Sequence, residues 1–189
     1  MANKAKTELI GAKLTLALAL MRENDPRRFA YLKRDVKRIL VFGDSTCRGR
    51  WWQDFELCEL TDNYVLDKET MPAQVASTLA HEAMHARLYR WGIGYEEERR
   101  VRVERICFKA SAAFARRLPD RDAEIRASIL RELEAQMQRD PSIWTYEGHM
   151  ESTLGALREM GTPAWLVAVF RSYGMMRLRW HLRSQKRVK

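Results

Sequence analysis

The sequence predicts an α+β fold, with a small antiparallel sheet followed by a mainly helical half. Three observations point there. Apolar residues recur at helical spacing near the start, short β-rich runs lie between turn residues in positions 38–66, and helical patterning continues from Thr70 onward. A chain of 189 residues with 46% apolar and 31% charged residues suits one domain with a sizeable core, 1–189.

Each element has its own signal. Ile10, Leu14, Ala17, Leu18 and Met21 share one face, so Leu9–Met21 reads as a core-packing helix. It is shorter than the roughly 18 residues that span a bilayer. Lys4 and Lys6 ahead of Leu14–Leu20 raise a signal peptide, which Glu8 and the context Met21-Arg22-Glu23 argue against. Asp25-Pro26 is a cap followed by a first-turn proline, opening a short helix with Phe29, Leu32 and Val36 inward. Arg38–Phe42 reads as a strand ending at Gly43-Asp44. Arg50–Leu60 reads as a second, with Trp51, Phe55 and Leu57 on one side, and Tyr64–Leu66 as a third after the turn Thr61-Asp62-Asn63. Met71–Trp91, capped by Thr70 and stopped by Gly92, is the first long helix, and Glu96–Arg117 the second. Helices near 121–139, 147–160 and 163–183 follow.

The chemistry concentrates in His81-Glu82-Ala83-Met84-His85. Histidines four apart on a helix project from one face, about one turn apart, which suits two nitrogen ligands on one tetrahedral zinc. Glu82 beside the first ligand is placed to act as general base toward a zinc-activated water. A catalytic zinc wants a third protein ligand. If the two long helices form a hairpin turning near 93–94, residues equally far from the turn lie side by side. The histidine pair averages to position 83, and Glu104 comes level with it, whereas Glu97 and Glu98 fall about 10 Å too near the turn. Glu104 also sits among Val101, Val103, Ile106 and Phe108, where an unpaired carboxylate is costly and a cation would resolve the cost. The third expected ligand is Glu104.

This arrangement resembles the gluzincin branch of the zinc metallopeptidases, whose signature is HExxH followed by a glutamate on the next helix. The 18 residues between His85 and Glu104 match the spacing of gluzincin aminopeptidases, and the likeness covers about residues 63–115. It implies a zincin-like domain and a zinc metallopeptidase that hydrolyses peptide or protein substrates. By this likeness His81, His85 and Glu104 are the zinc ligands, Glu82 is the base, and Tyr64–Leu66 is a substrate-aligning edge. Phe108 stands where thermolysin-like gluzincins carry an aspartate, and the exopeptidase motif of the large aminopeptidases is absent. The resemblance is thus to a small, divergent form. The tetrahedral oxyanion needs a second donor, for which His149 is the candidate and Tyr146 the substitute. Nothing in the sequence places either beside the histidine pair.

Other features bound the partners. The net charge of +9 is uneven: residues 171–189 hold seven basic groups and no acid, which leaves +2 for the rest (9 − 7). A basic body for nucleic acid is not implied. The tail itself reads as a solvated end of a packed helix or as a site for an anionic partner, a membrane surface or nucleic acid. That tail also defines the rival reading, a noncatalytic zinc-stabilised interaction module. Trp51-Trp52 beside Arg48 and Arg50 reads as core and sheet cover. Cys107, one turn from Glu104, reads as a small core residue able to approach the metal. Cys47, Cys58 and Cys107 show no CxxC spacing and are odd in number, so reduced thiols in a cytoplasmic protein are expected.

Overall fold

The computed structural model describes residues 2–43 and 47–186, with side chains described except at 2, 3, 149, 156 and 177–186. The chain divides into two compact units. One holds the residues up to Tyr95 together with Arg102–Gln138, and the other holds Glu96–Val101 and the residues from Arg139 onward.

In the first unit α1 (Ala2–Asn24) buries Ala17 and Met21 completely. Asp25 then caps α2 (Pro26–Asp35), its carboxylate accepting the Arg28 N–H at 3.2 Å. At the other end of α2, the fully buried Asp35 side chain meets Arg34 at 2.7 Å, Arg90 at 3.0 Å and Arg87 at 3.6 Å. Burial pushes this carboxyl upward, but the guanidinium groups outweigh it and hold it below its usual range. Such a carboxylate contributes stability above its unfolded pKa that is lost as pH falls. Asp35→Asn is therefore expected to lower the unfolding free energy by about 3 kcal/mol at neutral pH in urea titration. A loss no larger than that of a typical surface substitution would show that the cluster does not tie α2 to the helix that carries Arg87 and Arg90.

The sheet differs from the expected one. Strands β1 (Arg38–Val41), β2 (Gly49–Trp52) and β3 (Leu57–Leu60) lie in the order β1-β3-β2, with β1 parallel and β2 antiparallel to β3. It is mixed, and β3, buried at every position, takes the centre while the half-exposed β1 and β2 take the edges. The single strand expected over Arg50–Leu60 is a hairpin, broken by a 3-10 turn at Gln53–Phe55 and by Glu56 at φ 48°. Nor is Tyr64–Leu66 a strand. It ends the short helix α3 (Asp62–Leu66), in which the adjacent Tyr64 and Val65 are both buried, contrary to strand alternation.

Helix α4 (Pro72–Arg90) runs through the centre of this unit and packs on α1, α2, β2, β3 and the later α6 (Ala123–Gln138). It is capped at Met71 rather than Thr70, with the Gln74 side chain accepting the Met71 N–H at 2.7 Å. Ala73, Ala76, Ala80, Ala83 and Ala86 are buried on it, so neighbours approach closely from several sides. Gly92 (φ 72°) then reverses the chain. Its N–H bonds to Tyr89 and that of Ile93 to Leu88, both at 2.9 Å, and Ile93 packs on Leu88. This is a Schellman turn, and it aims the chain back toward α5 (Arg100–Ala115). The Ser111 hydroxyl donates to the Ser77 carbonyl at 2.9 Å across the two helices. Both residues lie 17 positions from residue 94 (94 − 77 and 111 − 94), which fixes the register of the hairpin.

In the second unit α7 (Tyr146–Glu159) packs on α8 (Ala164–Lys186). Thr145 caps α7 through the Gly148 N–H at 3.0 Å, and the Glu97 carboxylate takes the Tyr146 N–H at 2.9 and 3.0 Å. Buried Leu154 and Val167 fill this unit's core, while Trp165, Val169, Tyr173 and Met176 of α8 are exposed. The expected basic tail is helical to Lys186. Arg171 pairs with Glu151 at 3.1 Å, and the side chains beyond Met176 lie outside the described residues. Among the described residues no helix is long and apolar enough to cross a membrane.

Candidate metal centre

The site lies within the first unit, where α4 faces α5. His81 and His85 turn their Nε2 atoms toward one another at 3.1 Å. Glu104 on α5 meets both, Oε2 at 3.2 Å from His81 Nε2 and Oε1 at 3.5 Å from His85 Nε2. All three side chains are largely buried. The Tyr95 hydroxyl, just beyond the Schellman turn, donates to Glu104 Oε1. Its ring meets His85 edge-on with centroids 5.3 Å apart. Phe108 meets His81 in the same way at 4.8 Å, so apolar packing stands where an acidic brace was absent from the sequence.

The donor set fits a tetrahedral cation. Ligands at roughly 2.0–2.1 Å from zinc in tetrahedral geometry lie about 3.3 Å from each other. The two ring nitrogens here are 3.1 Å apart, and each lies 3.2 or 3.5 Å from one of the two Glu104 carboxylate oxygens. Two imidazole nitrogens facing each other beside a carboxylate need something positive between them, a proton or a metal ion. The Cys107 thiol approaches the same two histidines, since one ligand atom each from His81, His85 and Cys107 lies within 4.8 Å of the others.

The electrostatics of the metal-free chain follow from burial and pairing. Burial pushes the Glu104 carboxyl up, but hydrogen bonds and charge from His81, His85 and Tyr95 bring it down to about 2. Burial pushes His81 down, and its bond to Glu104 with the nearby Glu82 charge outweighs this and raises it. For His85 burial outweighs the opposing charge of Glu104 and, with a smaller push from His81, lowers it to about 4. The neutral His85 imidazole and the ionised Glu104 are the forms in which both act as metal ligands.

Glu82, 4% exposed, directly follows His81 and is not among the converging donors. Burial raises it to about 7, with charges from His81, Glu104, Arg50 and Glu59 adding smaller effects. A carboxyl that titrates near neutral pH is suited to accept a proton and give it back. Strand β2 passes over it. A Cβ added at Gly49 would lie 3.0 Å from Glu82 Oε1 and 2.8 Å from Thr78 Cγ2. Thr61 N–H bonds to the Arg48 carbonyl, so in the alternating ladder Arg50 and Trp52 face β3, and the backbone groups of Gly49 and Trp51 point to the outer edge. The strand edge beside the site is thus β2, which corrects the expectation for Tyr64–Leu66.

The expected oxyanion donors belong to the second unit. His149 is carried on α7, with its side chain outside the described residues. Tyr146 opens α7 and stacks under Arg100 at 5.9 Å. Tyr95 was missed by sequence reasoning, although an aromatic hydroxyl directly after the glycine turn was the signal available. Because it orients Glu104, Tyr95→Phe is expected to weaken zinc binding about 10-fold or more in competition with a chromogenic chelator. An unchanged affinity would mean that the hydroxyl does not hold the carboxylate.

Comparison with protein-family models, curated proteins and solved structures finds no match for this chain.

Proposed function

We propose that the chain is a zinc-dependent metallopeptidase of small, divergent gluzincin type. The observation that carries this reading is the convergence of His81, His85 and Glu104 at 3.1–3.5 Å beside a buried carboxyl at Glu82. His81, His85 and Glu104 hold the ion. The chemistry zinc supplies when bound is Lewis acidity toward a water and toward a carbonyl oxygen.

The remaining work falls to residues of the chain. Glu82 takes a proton from the attacking water on its carboxylate and delivers it to the leaving nitrogen, a role that its neutral-range titration supports. Tyr95 keeps Glu104 turned toward the histidines. The outward N–H and C=O groups of Gly49 and Trp51 offer an extended peptide a ladder alongside Glu82. Gly49 is suited to that place because any side chain there would strike Glu82 and Thr78. An extended backbone is therefore the substrate feature this edge recognises, in line with peptide hydrolysis.

The test uses the full chain loaded with one equivalent of zinc and an unfolded protein such as reduced, alkylated casein. New amino termini are expected to appear, to vanish on dialysis against a zinc chelator, and to return with zinc. Stoichiometric zinc without cleavage would refute the peptidase and leave a zinc-stabilised module, whose basic α8 would then be the feature to pursue. A purified chain that holds no zinc would refute both.

A further inference from the structure

We propose that Cys107 is a fourth protein donor to this centre, so that His81, His85, Glu104 and Cys107 together enclose the ion in its resting state. The inference rests on the reading of His81, His85 and Glu104 as a metal centre and goes beyond it in naming the coordination that the hairpin builds.

The register argues for it first. About residue 94, which Ser77 and Ser111 straddle equally, the partner of His81 is position 107 (94 − 81 = 13 and 94 + 13 = 107). Cys107 is thus the α5 residue directly level with the first histidine, while Glu104 lies one turn back, nearer the turn between the helices. Both side chains are buried, as expected where the two face the opposing helix. Distance argues for it second. The thiol lies within 4.8 Å of a ring nitrogen of each histidine. On a tetrahedral zinc with sulfur near 2.3 Å, a sulfur and a nitrogen ligand stand about 3.6 Å apart, so the gap to close is about 1 Å, within reach of small side-chain rotations.

Donor chemistry is the third argument. A buried thiol packed beside Leu88 and Val103 is an inert core residue when no ion is present. Beside two imidazoles and a carboxylate, it completes an N2OS set that selects zinc or cobalt over magnesium and calcium. As the ion binds, the S–H bond breaks, its proton leaves to solvent and a sulfur–metal bond forms. No electron changes hands. Four protein donors fill a tetrahedral site in the manner of structural zinc, whereas hydrolysis needs an open position. Turnover by this centre therefore requires the sulfur–metal bond to break and the thiolate to take a proton back. Cys107 is by this account a latch on the resting site.

Cobalt(II) alone, replacing zinc in the full-length protein, reports the donor directly. Wild type is expected to show the intense visible bands of four-coordinate cobalt and a near-ultraviolet sulfur-to-cobalt charge-transfer band. Cys107→Ser and Cys107→Ala should each bind cobalt and keep visible bands but lose the charge-transfer band, while Cys58→Ser keeps both. Visible bands without charge transfer in wild type would overturn the latch and leave the three-ligand centre intact. A charge-transfer band that survives both Cys107 variants would overturn it equally. Failure of wild type to bind cobalt or zinc would overturn the latch together with the metal centre on which it depends.

Discussion

Glu82→Gln is expected to reduce peptide hydrolysis by about 10²–10⁴-fold while stoichiometric zinc is retained. The amide keeps the shape of the side chain and cannot take the water's proton, and Glu82 is not among the three side chains that converge. Zinc content and turnover should therefore separate in this variant. A Glu82→Gln protein as active as wild type would end the proposed mechanism.

The same variant carries a stability signature in the metal-free chain. Glu82 titrates at about 7 when folded, against an ordinary value of 4.5. A folded-state pKa raised in this way means that the folded chain holds the extra proton. Its stability is fully present below the unfolded value and is lost as pH rises through the folded one. At pH 8 the wild type therefore buries a charge that the amide lacks. Glu82→Gln should be the more stable protein there, by up to about 3 kcal/mol, with the difference closing toward about pH 4. Chemical denaturation of the two metal-free proteins across this range measures it. A variant less stable than wild type at pH 8 would show that the carboxylate has charge partners beyond His81, Arg50, Glu59 and Glu104.

Glu104→Gln is expected to do the opposite on both counts. It should bind zinc at least about 100-fold more weakly, because it loses the anionic oxygen ligand that both histidines face. In the metal-free chain Glu104 is held at about 2, below its ordinary 4.5, so it contributes stability above the unfolded value that is lost as pH falls through the folded one. Removing its charge should cost up to about 3 kcal/mol at pH 7 and little near pH 2. Two buried carboxylates in one unit are thus predicted to change stability with opposite signs, because one is ionised among donors and the other is buried without a strong partner. Zinc retained at wild-type affinity in Glu104→Gln would show that the carboxylate is not a ligand, and the histidines with Cys107 would then be the donor set left to test.

Much of this could be read from local pattern. The Asp25-Pro26 cap, the Gly92 stop and the helical spacing of His81 and His85 are statements about residues three or four apart, and such neighbours are placed by backbone geometry alone. The level position of Glu104 was also reachable, because a short turn between two helices lets residues be counted outward from it. The strands were less legible. Arg50–Leu60 alternates well enough for one strand, and only the positive φ of Glu56 and the burial of β3 show that it folds back on itself. Tyr64–Leu66 was misread because three apolar residues have no period of their own.

What the sequence by itself determined is the chemistry of one helix face: two imidazoles and a carboxyl within five residues, on a segment that must be helical. The tertiary structure decided what that face meets. Tyr95 on Glu104, Cys107 beside the histidines and β2 over Glu82 all depend on which surfaces pair across the fold. Periodicity shows which side chains share a face. It does not show the opposing face, because that choice is made by burial summed over the whole unit.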